Sequence, residues 1–373
     1  MTVVFIVLWS VSGPIQLEPI EGRLFSNIGC WIPGMVSVET EGSLFVGTRE
    51  DEYWLFDLKT GSATPVRSQE FWVRSVAGRD GILYMSGFRD DIAITKMVDH
   101  SGKVLAERSG VFSVLRFLGE DLVGTNYAEW SDPIVHVMSP ETLETRESFF
   151  QTPEVVRESQ LFASSVWVTR RNGVYILMDG VFDRIYFGTK DRLRWENERS
   201  NLVPNTYPFK ELGLPNYTRP SLKAMRQPMV REEILGILDF YNWRFRLSYA
   251  LYFHEVGDGY VFCYEIPDRI GDTYIGNHLA IQFLDAAFRP VGLPLERYGQ
   301  IAGVADDAVY IFYPDGPEPL PGEPGALKKH YGFDRIESLE KVRDLALKYR
   351  ERVEGIYHPS IEIIRPEMVG GTP

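Results

Sequence analysis

Arginines and aromatic residues recur in the long loops of this sequence, and side chains of these types can bind a ligand. Arginine pairs with carboxylate or phosphate through two parallel donors, and aromatic faces stack on sugars or cations. The candidate ligand-binding residues are Arg49, Arg74, Arg89, Tyr127, Trp130, Arg157, Trp243, Arg246 and Arg269, and Trp72, Arg244 and Tyr298 share their loops. The set predicts a site for an anionic small molecule, a carbohydrate or part of a partner protein.

A second interpretation of these arginines stays open, because carboxylates lie beside them in the same loops. Glu50, Asp90, Glu158 and Asp268 are among these neighbours. Surface Arg–carboxylate pairs are common and contribute only about 0–1 kcal/mol each. On this interpretation the arginines are paired locally and bind no ligand.

Motifs for catalysis or metal binding are missing from the sequence. It contains no Gly-x-Ser-x-Gly elbow, no Gly-x-Gly-x-x-Gly, no P-loop and no EF-hand calcium loop. Cys30 and Cys263 are too few for a metal cluster, and the six histidines are not spaced as a four-histidine site. We therefore expect no cofactor and no metal, and a non-enzymatic protein is favoured.

A repeat of about 40 residues organises the elements that must position the loops. Each copy opens with an acidic or Asn residue beside Gly, such as Asp80-Gly81, and continues into a short apolar segment. Leu44, Leu83 and Leu122 lie 39 residues apart. Six copies with four short strands each predict an all-β fold, a six-bladed β-propeller of four-stranded antiparallel blades. A two-domain β-sandwich is the alternative, which the regular period disfavours.

The first copy carries the specific resemblance. Its segments EGSLFV (41–46) and WLFDLKTG (54–61) resemble the repeats of six-bladed β-propellers of the TolB-like and NHL-like superfamily, and the similarity extends over 35–313. The chain further resembles an uncharacterised bacterial branch of that superfamily. The resemblance implies the propeller fold and an extracytoplasmic location, periplasmic or secreted, and it identifies no activity. Lactonase-like six-bladed families hold a calcium ion in the central channel, which makes a metal-dependent hydrolase or lactonase the alternative function.

One propeller domain over 1–373 accounts for the length if two insertions extend it, at about 195–246 and 314–358. The second insertion is rich in proline and continues into an amphipathic helix predicted over 334–354. The sixth copy lacks a fourth strand, which a segment within 3–18 could supply. Residues 1–13 are alternatively the remnant of an export signal.

The net charge of the 373-residue chain is −13, which disfavours nucleic-acid partners because phosphate backbones repel an acidic surface. No apolar run reaches the ~18 residues of a transmembrane helix. The sequence thus predicts a binding or scaffold propeller that presents its long loops to a protein or to a carbohydrate or anionic ligand. A structural subunit that docks through the insertion helix is a further alternative, and the oligomeric state stays open.

Overall fold

The strands of this chain pair mainly with their neighbours in sequence, as the repeat requires. The structure is a computed structural model. It describes residues 6–25, 36–38, 42–47, 52–67, 71–90, 92–126, 133–151, 166–179, 184–189, 192–195, 249–270, 273–314, 316, 318–330 and 352–369.

The first three blades are antiparallel four-stranded sheets made from consecutive strands. Blade 1 consists of β4 (Val36–Ser37), β5 (Ser43–Gly47), β6 (Glu52–Asp57) and β7 (Ala63–Arg67). Blade 2 consists of β8 (Trp72–Arg79), β9 (Ile82–Arg89), β10 (Ile92–Asp99) and β11 (Val104–Ser109). Blade 3 consists of β12 (Val114–Leu118), β13 (Asp121–Thr125), β14 (Val135–Met138) and β15 (Thr145–Phe149).

The next two blades follow the same order, and the sixth combines strands from both parts of the chain. Blade 4 consists of β16 (Val166–Arg171), β17 (Val174–Asp179), β18 (Arg184–Thr189) and β19 (Arg192–Trp195). Blade 5 consists of β20 (Tyr249–Val256), β21 (Gly259–Ile270), β22 (Thr273–Leu284) and β23 (Pro290–Arg297). Blade 6 consists of β24 (Gln300–Ala305), β25 (Ala308–Tyr313), β27 (Ser360–Val369) and β1 (Ile6–Val11), and β2 (Ile15–Gln16) also pairs with β27.

Among the described residues, a two-stranded sheet and a short helix lie outside the six blades. Strands β3 (Ile20–Phe25) and β26 (Arg352–Tyr357) form a two-stranded sheet, and α1 (Ala326–His330) is a short helix after the end of β25. No helix of the described residues is long and apolar enough to cross a membrane.

Turn chemistry explains why the sequence folds into tight hairpins. Between β8 and β9, Asp80 and Gly81 have φ values of 53° and 76°. Asn172 and Gly173 connect β16 to β17 with φ values of 50° and 80°. Two-residue hairpins require positive φ at both central positions, which Asn, Asp and Gly tolerate best. The Asp-Gly and Asn-Gly pairs therefore set the period of the repeat.

Apolar side chains pack between the blades. Phe45 and Leu55 of blade 1 share a buried cluster with Val76 and Met85 of blade 2. Among the described residues, similar clusters join blades 2 and 3, 3 and 4, 4 and 5, 5 and 6, and 6 and 1. Each blade thus buries both faces against its neighbours, which closes a ring. The predicted all-β six-bladed propeller is confirmed.

Contacts between strands of different blades show which strands line the centre of the ring. Strands β8, β12, β16, β20, β24 and β4, the first of each blade, contact one another in succession around the ring. They are therefore the innermost strands. Strand β1 forms the outer edge of blade 6, where Val11 pairs with Ile364 of β27.

The predicted helix over 334–354 is wrong at its carboxyl end. Residues 352–354 belong to β26, whose Val353 pairs with Leu24 of β3. The pairing partner lies far away in sequence, so a helical spacing of apolar residues did not reveal it. Residues 334–351 of the predicted helix lie outside the described residues, as do 196–246 of the first predicted insertion.

Candidate functional site

Connections between second and third strands and connections between blades share one face of the ring, which we call the long-loop face. Side chains are described for two of the predicted ligand-binding residues, Arg74 and Arg89. Arg269 lies in β21, paired with Tyr274. The predicted residues outside the described part of the chain are Arg49, Tyr127, Trp130, Arg157, Trp243 and Arg246.

An exposed tryptophan marks blade 2 at the long-loop face. Trp72 begins β8 and pairs with Phe88 on β9. The two rings stack with centroids 5.6 Å apart and planes at 28°. Trp72 is 49% exposed, whereas Phe88 is 9% exposed. Among the aromatic side chains that the structure describes, Trp72 alone is exposed.

Arg89 follows Phe88 and forms an ion pair within its own blade. Consecutive residues of a strand point to opposite faces of the sheet, so Arg89 points away from the face that Phe88 shares with Trp72. Its guanidinium donates to both carboxylate oxygens of Glu107 on β11, at 2.8 and 3.3 Å. Arg89 thus agrees with the interpretation of local pairing.

Arg74 has a different position, at the start of the innermost strand of blade 2. The register between β8 and β9 shifts between Val73 and Ser75, so Arg74 is the extra residue of a β-bulge. Bulges redirect a side chain from the regular alternation of a strand. Arg74 is partly buried and lies two residues from Trp72.

The described candidates do not form one patch. Arg74 and Arg89 belong to blade 2, whereas Arg269 belongs to blade 5. Blades 2 and 5 lie opposite each other in a ring of six. Trp72, Arg74 and Arg89 share one end of blade 2, where Arg89 is already paired with Glu107.

An arginine that the sequence analysis did not select joins the innermost strands. Arg116 on β12 is 1% exposed. Its Nη1 donates to the carbonyl oxygens of Val168 on β16, at 2.9 Å, and Phe253 on β20, at 3.2 Å. Its guanidinium also lies 5.3 Å from the ring centroid of Trp167 and 5.4 Å from that of Tyr252. One side chain thus connects blades 3, 4 and 5.

The charge of Arg116 also determines the electrostatics at the centre of the ring. Burial, and then the nearby guanidinium, lower the pKa of His254 on β20 to about 3. Both effects disfavour the imidazolium form, so His254 is neutral near pH 7. A divalent cation beside Arg116 would meet the same repulsion. In the described part of the chain, no group of three or more His, Cys, Asp or Glu residues is arranged to hold a metal ion.

A second polar region lies between blades 5 and 6 at the long-loop face. Strands β21 and β22 have 12 residues each and form a long hairpin that ends at the long-loop face. This long hairpin positions His278, whose Nδ1 lies 2.8 Å from Oδ1 of Asp268 and whose Nε2 lies 3.5 Å from Oε2 of Glu296. The sequence offered no signal for this cluster, because it depends on the length of the hairpin.

Tyr298 connects this cluster to α1. Its ring stacks on His330 with centroids 4.1 Å apart and contacts His278 edge-on at 5.7 Å. Nδ1 of His330 lies 3.1 Å from Oε2 of Glu318. Burial, and then the charges of Asp268 and Glu296, raise the pKa of Tyr298. The electrostatic potential of this region is therefore negative, whereas the sequence predicted an arginine-rich surface.

A buried ion pair lies on the blade 6 side of this region. Arg297 donates to Glu362 on β27 through Nε at 2.9 Å and Nη2 at 3.1 Å. Tyr313 donates its hydroxyl to the same carboxylate at 2.8 Å. Burial, and then the charge of Glu362, raise the pKa of Tyr313. The pair is structural, since it joins the end of β23 to β25 and β27.

Comparison with known proteins adds little to what the strand pairing already shows about the fold. No protein-family model and no curated protein matches the chain. It is similar to a crystal structure of a candidate exported protein from Bacteroides fragilis, with 12% identity and a TM-score of 0.49 over 96% of this chain and 95% of that one. A similarity this low carries no argument about family or function. Membership of the TolB-like and NHL-like superfamily therefore stays a prediction, whereas the strand pairing of the chain itself establishes the six-bladed ring.

Proposed function

We propose that the protein is a non-enzymatic binding or scaffold propeller that presents its long-loop face to a partner protein or to a carbohydrate or anionic ligand. The observation that carries the proposal is the exposed ring of Trp72, stacked on Phe88. A ring supported in this way loses little conformational entropy when a ligand covers it. Sugars and apolar side chains of peptides both stack on such a surface.

The charged side chains at this end of blade 2 limit which ligands can bind there. Glu107 neutralises Arg89, so Arg89 adds little attraction for an anion. Arg74 lies two residues from Trp72 in β8, so we expect an anionic ligand on the Trp72 ring to lie near its guanidinium. A neutral sugar or an apolar peptide would depend mainly on Trp72.

The alternative function, a metal-dependent hydrolase or lactonase with its site in the channel, has less support. The innermost strands place the guanidinium of Arg116 between blades 3, 4 and 5. A buried positive charge in a medium of low dielectric constant opposes a metal cation nearby. No observation on the described innermost strands favours this chemistry.

An extracytoplasmic location, periplasmic or secreted, belongs to the proposal through the resemblance of the repeats. A protein that presents a binding face to external glycans or proteins would act there. Fractionation of cells that express the natural chain tests this part separately, and retention in the cytoplasm would remove it.

Arrays of neutral glycans, acidic glycans and peptides, probed with the full chain, test the binding function. We expect Trp72→Ala to weaken binding at least about tenfold, since buried aromatic anchors often contribute 2 kcal/mol or more. Arg74→Ala should weaken binding of acidic probes only. Leu293→Ala is the matched control, because Leu293 is 85% exposed on the outer strand β23. Equal binding by wild type and Trp72→Ala would contradict the assigned surface.

A further inference from the structure

Nε2 of His278 is a buried nitrogen whose surroundings favour a bound cation. Its side chain is 10% exposed, and Nε2 is buried without a hydrogen-bond partner. Nδ1 lies 2.8 Å from Oδ1 of Asp268, and an ionised carboxylate can only accept, so Nδ1 carries the proton. A neutral ring then has its lone pair on Nε2, and Oε2 of Glu296 lies 3.5 Å from that nitrogen. Two acceptors thus face each other.

The distance between these two acceptors matches the spacing of ligands around a zinc-type ion. Zn–N and Zn–O distances are about 2.0–2.2 Å, so ligand atoms 3.5 Å apart subtend about 110–120° at the metal. Tetrahedral coordination prefers an angle of about 109°. An ammonium group about 2.9 Å from both acceptors would instead subtend about 75°, too narrow for two of its N–H bonds. The geometry favours a metal over an amine.

We propose that Nε2 of His278 and the carboxylate of Glu296 bind a divalent ion of the Zn²⁺ class, with Asp268 orienting the imidazole. Imidazole with carboxylate suits zinc, copper and nickel better than calcium or magnesium. The bond from Nδ1 to Asp268 provides the partner that fixes the tautomer and ring orientation of metal-binding histidines. The three residues lie on β21, β22 and β23 of blade 5, away from the innermost strands and from Trp72.

Two carboxylates beside His278 favour a cation there, since Asp268 lies 2.8 Å from Nδ1 and Glu296 lies 3.5 Å from Nε2. Arg297 is already engaged by Glu362, so its charge is compensated within blades 5 and 6. The described residues add no third protein ligand, so water or a bound molecule would have to complete the coordination.

Metal titration of the full chain, after removal of metals with a chelator, tests the site. Zn²⁺ is added at neutral pH against a chromophoric chelator, and Co²⁺ is used in parallel for its visible absorption bands. We expect one equivalent to bind with micromolar affinity. His278→Ala should abolish this binding and its Co²⁺ bands, Glu296→Gln should weaken it at least about tenfold, and Asp268→Asn should weaken it about 10- to 100-fold.

The controls separate this site from adventitious binding and from misfolding. His136→Ala is the matched control, because His136 is a partly buried histidine of blade 3 that is hydrogen-bonded to Ser148. Glu296 is 42% exposed, so Glu296→Gln should fold even if His278→Ala does not, and thermal melting of each variant checks this. If His278→Ala and Glu296→Gln leave the uptake of metal unchanged, the metal is an adventitious ion only and the proposal is overturned. If the wild-type protein takes up no metal, for example because a proton occupies Nε2 of His278, the proposal is also overturned.

Discussion

Arg116 on β12 donates a hydrogen bond to the carbonyl oxygen of Phe253 on β20, although the two residues are 137 positions apart and belong to blades 3 and 5. The same nitrogen reaches Val168 of the blade between them. A side chain at the centre of the ring therefore couples three blades.

Removal of this guanidinium should destabilise the whole ring. Arg116→Ala leaves two buried carbonyl groups without their donor, at about 1–3 kcal/mol each. We expect the free energy of unfolding to fall by about 2–5 kcal/mol, measured by urea denaturation. Arg146→Ala is the control, since Arg146 forms an exposed pair with Glu141 and should change stability by less than about 1 kcal/mol. An equal effect of both substitutions would contradict the coupling role.

His254 should contribute to loss of stability in acid. Its pKa is about 3 in the folded protein and about 6.5 in an unfolded chain, so the unfolded state binds more protons between these values. Stability is then highest above about pH 6.5 and falls as the pH decreases towards 3, by up to about 1.4 kcal/mol per pH unit. We expect His254→Gln to reduce this slope in urea titrations at several pH values. A slope equal to that of the wild type would show that His254 does not titrate in this way.

The carboxylate of Glu362 should be needed for stability only while the buried guanidinium of Arg297 is present. Glu362→Ala leaves a buried guanidinium unpaired, and we expect a loss of about 3–5 kcal/mol in the free energy of unfolding. The triple variant Arg297→Met, Glu362→Leu, Tyr313→Phe removes all three polar groups together. It should recover most of that loss, because apolar replacement of a whole buried pair is often neutral. A triple variant as unstable as Glu362→Ala would contradict this account.

Cys263 should be chemically inert in the folded protein. The thiol is fully buried in blade 5, and burial raises its pKa well above the ordinary range. Thiolate is the reactive form, so alkylation should be very slow. In a Cys30→Ser background, mass spectrometry should detect no modification under native conditions and one modified thiol in denaturant. Fast native labelling would show that the core of blade 5 opens.

The repeat was predictable because its signal is local. Asp80-Gly81 and Asn172-Gly173 determine hairpins through backbone conformation alone. By contrast, β26 pairs with a strand more than 300 residues away, which periodicity does not reveal.

The site was less predictable, because its features depend on contacts between distant strands. Trp72 could be placed on the long-loop face from its position before the second repeat, but its exposure depends on its pairing with Phe88. The cluster of Asp268, His278 and Glu296 requires a hairpin longer than those of the other blades. Arg116 appears in the sequence as one charge in an apolar strand, and its role requires three blades to be in place.

The pairing of β1 with β27 has a consequence during protein synthesis. Ser12 donates a hydrogen bond to Ile363, which is 351 residues later in the chain. At about 5–20 residues per second, a ribosome needs roughly 20–70 s to make that partner. During this interval the first strand stays an open edge on the nascent chain, exposed to chaperones and to aggregation, and the sixth blade is completed only after β27 has been made.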